Sequence, residues 1–139
     1  MLKFTDNGLE NAAGTSINLG SSNLSLGAIQ FRSGSVTIVE NASLNLAAGS
    51  VASGAVSLTS SGNITTTGAG GGTFQNTLAL NASGSITITN PIFVNGAGGS
   101  GLTFRALGAV DLSALSLAGN LNSIAPTNLG ASSYKAPSP

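Results

Sequence analysis

Four stretches of this chain align without a gap, and that alignment constrains the fold more than any other feature. They are VTIVENASLNL from Val36, VSLTSSGNITT from Val56, LALNASGSITI from Leu78 and LTFRALGAVDL from Leu102. Each reads apolar-x-apolar, five residues, apolar-x-apolar, with one lapse where Thr66 takes an apolar slot. Their starts lie 20, 22 and 24 residues apart. Within the central five, the fourth position is Ala42, Gly62, Gly84 and Gly108, which predicts a corner needing either a positive φ or close packing. A third apolar pair follows as Ile92-x-Val94 and Leu115-x-Leu117, and shrinks to Val51 and Phe74 in the earlier units. Upstream, Ile17-x-Leu19, Leu24-x-Leu26 and Ile29-x-Phe31 make a full set of three.

Alternating strand residues face opposite sides, so both apolar members of a pair share one face. Strands this short do not hold a hairpin together by themselves. Stacked on their counterparts one repeat away, they bury a continuous apolar column. Ile38, Leu58, Leu80 and Phe104 form one such column, and Leu46, Thr66, Ile88 and Leu112 another. The neighbouring outward column is polar: Ser25, Asn45, Thr65, Thr87 and Asp111. The pattern predicts an all-β, parallel β-helix of about five three-stranded turns, each of roughly 20–24 residues. Right-handed coiling is the general expectation for parallel crossovers. A β-sandwich of hairpins is the rival; it is disfavoured because the units differ in length only at Gly-rich corners.

The run Gly96-Ala97-Gly98-Gly99-Ser100-Gly101 reads as G-x-G-x-x-G. A dinucleotide site needs a helix after the glycines and an acid about 20 residues on. Here an alternating strand pattern follows and Asp111 comes too early, so the run reads as the corner joining a third strand to the next first strand. TGAGGGT, from Thr67 to Thr73, reads as a similar corner one turn earlier.

The repeat divides the 139 residues into an edge segment (1–14), the β-helix (15–120) and a C-terminal cap with a linker-like tail (121–139). Leu2-x-Phe4 offers one added strand or a fold over the first turn, whereas Pro126, Pro137 and Pro139 interrupt pairing. The start MLKFTDNGLE has no apolar signal-peptide core. An unsealed solenoid end presents free amides, carbonyls and apolar side chains, and identical chains stacking there build an open filament.

VSLTSSGNITTTGAG and LALNASGSITITNPI resemble the filamentous-haemagglutinin-like repeats of bacterial surface exoproteins, over roughly residues 15–120. The resemblance implies a right-handed parallel β-helix serving as an adhesin or rod-like carrier, outside the cell or at its surface, often exported by two-partner secretion. This chain is short beside such rods and carries no recognisable secretion domain.

Charge is scarce at 6%, with Lys3, Arg32, Arg105 and Lys135 balanced by Asp6, Glu10, Glu40 and Asp111. No basic cluster marks a nucleic-acid partner, and no apolar run is long enough for a membrane-spanning helix. With no Cys and no His, thiol and imidazole chemistry are excluded, and neither a metal nor another cofactor is expected. The acids read as scattered and solvated. Glu40 and Asp111 lie three turns apart, about 14 Å at ~4.8 Å per turn, too far for a glycosidase pair. No catalytic residue is expected.

The expected function is structural: a solenoid stacking head to tail with itself, or a section of an adhesin rod. The alternative is a module that binds a host or abiotic surface, as carbohydrate or ice, through an outward polar face. Ice binding would use the columns of Thr37, Ser57 and Thr103 and of Asn45, Thr65 and Thr87, but non-Thr residues break both. Glycan binding usually needs exposed aromatics, and only Phe93 and Tyr134 qualify. Phe93, between inward Ile92 and Val94, and Arg105, after Phe104, are the candidate interaction residues.

Overall fold

Apolar pairs recurring at a constant spacing have one economical burial, each pair above its counterpart, and the chain adopts it. The computed structural model describes residues 2–5, 16–67, 72–89, 92–94, 102–113, 115–117 and 134–135. Strand β1 (Leu2–Thr5) precedes the coils; β2 (Ser16–Leu24) and β3 (Ala28–Ser33) make the first. The second holds β4 (Ser35–Glu40), β5 (Leu44–Ala47) and β6 (Val51–Ala52). The third holds β7 (Val56–Ser60), β8 (Ile64–Thr67) and β9 (Thr73–Phe74), and the fourth β10 (Leu78–Ala82), β11 (Ile86–Thr87) and β12 (Ile92–Val94). The fifth comprises β13 (Leu102–Ala106), β14 (Val110–Asp111) and β15 (Leu115–Leu117), and β16 (Tyr134–Lys135) follows.

All pairings are parallel between coils, which makes the chain a β-solenoid with three faces. The first face is the five-stranded sheet β13-β10-β7-β4-β2, so four complete turns separate its first and last strands. The second and third faces join into one sheet because β3 turns through the corner: its Ile29 pairs with Leu46 of β5, and its Ser33 with Ala52 of β6. Strand β1 lies on β3 with Leu2 beside Ile29, and β16 lies on β14 with Tyr134 beside Val110. Leu2-x-Phe4 thus adds a strand, the first of the two options its sequence leaves open.

The first face follows the repeat residue by residue. Val36, Val56, Leu78 and Leu102 align, as do Ile38, Leu58, Leu80 and Phe104. Ile38, Leu58, Leu80 and Phe104 are fully buried.

The first coil departs from the predicted set of three. Between Leu19, paired with Ile38, and Leu24, paired with Glu40, β2 holds three residues more than β4 does. That bulge pushes the chain onward, so Ala28 and Ile29, not Ser25 and Leu26, face Asn45 and Leu46. The third face also differs. Ala52 aligns with Phe74 and is buried, whereas Val51 aligns with exposed Thr73. Small residues are needed there because the Phe31 and Phe74 rings, two coils apart, meet across that coil with centroids 6.1 Å apart. Gly72 shares the constraint: a Cβ on it would lie 2.7 Å from the Phe74 ring. TGAGGGT joins the second face to the third, not the third to the first, because β9 begins at its last residue. Residues 68–71, and all of 96–101, lie outside the described residues.

The corner after the first face settles what its small residue is for. Positive φ occurs at Gly27 and Gly49, not at Gly62, Gly84 or Gly108. Instead, the residue after the small position accepts a backbone N–H from the next coil. Ser43 Oγ takes Asn63 N–H at 3.1 Å, Asn63 Oδ1 takes Ser85 N–H at 2.8 Å, and Ser85 Oγ takes Ala109 N–H at 3.1 Å. A Cβ on Gly62, Gly84 or Gly108 would collide with the acceptor beneath it, so close approach is the reason. The acceptor series ends at Ala109, whose methyl group accepts nothing.

Thr66, the lapse in the apolar column, is buried and uses its hydroxyl. Oγ1 accepts the Thr89 N–H at 2.9 Å, and Thr89 Oγ1 donates to the Thr66 carbonyl at 2.6 Å. That ties down the chain as it leaves the second face. Thr66→Val removes the acceptor but keeps the shape, so an expected loss of about 1 kcal/mol should appear as a lower urea midpoint with an unchanged m-value.

Candidate functional site

Outward positions of the first face form two columns. One is Thr37, Ser57, Ala79 and Thr103; the other is Val39, Thr59, Asn81 and Arg105. The register brings together residues separated by twenty or more positions in sequence, at the ~4.8 Å strand spacing. Along the second column, where the first face meets the corner, a groove of about 240 Å³ opens. Thr59, Ser60, Asn81, Ala82, Ser83, Arg105 and Leu107 line it. Arg105 is exposed, and its guanidinium donates no hydrogen bond to, and forms no ion pair with, the described residues. Among the described residues no acid lines the groove.

Leu107 is 57% exposed and is the exposed large hydrophobic side chain among the described residues. Preceding coils place Asn41, Ser61 and Ser83 at its position, one residue beyond the aligned Glu40, Ser60, Ala82 and Ala106. A single exposed leucine means little in isolation. Here it edges a concavity that also holds the exposed Arg105, which has no ion-pair partner among the described residues.

The other sequence-predicted residues fall apart from this groove. Thr37 is exposed, and Ser57 and Thr103 are half-buried, in the adjoining column, which Ala79 interrupts. Asn45, Thr65, Thr87 and Asp111 align on the second face, all half-buried. Ala28, not Ser25, begins that column. The backbone of Phe93 stands in register with Thr73 and Ser116 on the third face, away from Arg105; its side chain lies outside the described residues. Arg105 was legible from strand alternation. Asn81 and Leu107 were missed, although reading the aligned units vertically places Thr59, Asn81 and Arg105 in one column.

Glu40 corrects the expectation of a solvated acid: it is 1% exposed. Its Oε1 accepts the Leu26 N–H at 2.7 Å, while Oε2 is buried without a hydrogen-bond partner. The bulge in β2 is the cause, since it lays Leu26 over the end of β4. Glu40 is therefore a fastening for the first coil. Asp111 accepts the Ser113 N–H at 3.0 Å, three rungs away on another face. Among the described residues no three Asp or Glu side chains gather as metal ligands.

The two ends of the first face are the other notable surface. The outer edges of β2 and β13 carry no strand partner among the described residues. Taken together, these features define a parallel β-solenoid whose first face ends in edges at β2 and β13 without partners among the described residues, with a shallow groove on its side. Comparison with protein-family models, with curated proteins and with solved structures finds no match.

Proposed function

We propose that this chain is a non-catalytic structural protein of the cell surface or extracellular space. It works as a β-solenoid unit that stacks end to end into a filament or forms one section of an adhesin rod. The observation that carries this reading is the first face: five parallel strands, in one register up to the bulge after Leu19 of β2, ending at β2 and β13 in edges without partners among the described residues. Such edges pair readily with another strand of the same pitch. A second copy adding in parallel continues both the hydrogen-bond ladder and the apolar column, a heterologous contact that does not close. Near-absence of charge on the flanks favours lateral packing of such rods. The resemblance of the repeats to filamentous-haemagglutinin-like units agrees with a mechanical role. Hydrogen bonds between coils run along the axis and resist extension.

Electron microscopy of the purified chain at micromolar concentration tests stacking. Unbranched fibres with an axial repeat of about five strand spacings, ~24 Å, are expected. Discrete particles one solenoid long would overturn self-stacking and leave the rod-section role.

A further inference from the structure

We infer that the groove beside Arg105 is a binding site for a carboxylate-bearing sugar unit, a hexuronate or a short chain ending in one. This does not depend on stacking, because the groove lies on the flank of the coils.

Three properties of the groove narrow the ligand. The first is charge. Arg105 is exposed, makes no hydrogen bond or ion pair with the described residues, and no acid among the described residues lines its groove. A guanidinium presents a planar donor fork that matches a carboxylate with two parallel hydrogen bonds.

The second property is the row of neutral groups behind it. Asn81 and Thr59 follow Arg105 on consecutive rungs of one column, and Ser83 stands at the corner. An amide and two hydroxyls both donate and accept, which is what ring hydroxyls require. β7 and β10 are paired on both sides and β13 on its inner side, so within the groove the ligand meets outward side chains, the open edge of β13 lying at the end of the sheet. A peptide that binds by adding a strand would pair at the β13 edge and not in the groove, whereas a sugar needs only these side-chain groups.

Size and the apolar margin are the third. At about 240 Å³ the groove falls below the ~300–1,000 Å³ of sites for drug-sized ligands. It suits one ring. Leu107 supplies the apolar edge against which the C–H face of that ring can rest, where earlier coils carry Asn41, Ser61 and Ser83. Without an aromatic platform the affinity is expected to be low, with a Kd on the order of 1 mM.

Equilibrium dialysis tests this on dispersed chains and on fibres alike, with labelled sodium galacturonate and digalacturonate as probes and methyl galactoside and sodium sulfate as competitors. Saturable uronate binding is expected, with methyl galactoside and sulfate competing at least about tenfold more weakly, since only the uronate has both the charge and the hydroxyls. Arg105→Gln should weaken binding at least about tenfold with an unchanged melting temperature, and Leu107→Ser about threefold. Sulfate competing as well as galacturonate would overturn the sugar assignment and leave an anion contact. Full binding by Arg105→Gln would overturn the site. Absence of saturable uronate binding would overturn both, whatever microscopy shows about fibres.

Discussion

Leu80→Asp should leave the chain unfolded, with no cooperative thermal transition and rapid cleavage by a nonspecific protease. Leu80 is fully buried in the fourth coil, between Leu58 of the third and Phe104 of the fifth. Losing a buried leucine costs about 2–5 kcal/mol. A carboxylate in its place has no cation nearby in the column, and an uncompensated buried charge costs about 3–5 kcal/mol more. Together these reach the ~5–15 kcal/mol that a whole domain of this size has to lose. Position matters as much as chemistry. Ala79, the preceding residue on the same strand, faces outward and is half-exposed. Ala79→Asp should therefore change stability by less than about 1 kcal/mol. Far-UV circular dichroism on the pair separates register from a general intolerance of charge. A folded Leu80→Asp beside an unfolded Ala79→Asp would reverse every strand of the first face.

The same alternation explains which parts of the fold were legible. Val36-x-Ile38, Val56-x-Leu58, Leu78-x-Leu80 and Leu102-x-Phe104 are full-sized apolar pairs with even surroundings, so local hydropathy and tertiary register agree. Leu24-x-Leu26 carries the same local signal, yet the β2 bulge puts Leu24 at the end of the first face and Leu26 over Glu40. A bulge is a property of the strand pair and leaves no trace in either strand alone. On the third face Ile92-x-Val94, Leu115-x-Leu117 and Phe74 align as read, and Val51 alone was misplaced, for a different reason. Phe31 and Phe74 fill the space above Ser50 and Ala52, so the buried positions there are small and the pattern fades. The buried Glu40 was misread because acidic residues are rarely buried without partners, and its backbone donor sits 14 residues earlier in the chain. Arg105 was found from its own strand. The groove around it needs Thr59 and Asn81 from two other coils, which only the register supplies.

Gly62→Ala should destabilise the solenoid by about 3 kcal/mol, combining ~1–3 kcal/mol of overpacking with about 1 kcal/mol from a stretched hydrogen bond. Backbone strain is not the cause, since Gly62 has no positive φ. The added methyl would lie 2.8 Å from Ser43 N and 3.0 Å from its Cα, besides meeting Ser43 Oγ. A side chain can swing away from such a contact, but a backbone in the coil beneath cannot. The coils must part at the corner, and the Ser43 Oγ bond to Asn63 N–H and the Leu44 N–H bond to the Asn63 carbonyl at 2.8 Å stretch together. Ala42 occupies this position one coil earlier, directly above the stretch where the first coil departs from the repeat. Gly27→Ala is the informative comparison, because a Cβ there meets nothing within 4 Å and the φ of +71° is its one obstacle. Its cost should be about 1–2 kcal/mol. Chemical denaturation of both variants ranks contact against conformation. If Gly27→Ala proves the more damaging, the corner tolerates a wider coil spacing, and the acceptor series from Ser43 to Ser85 is a consequence of the stacking rather than one of its determinants.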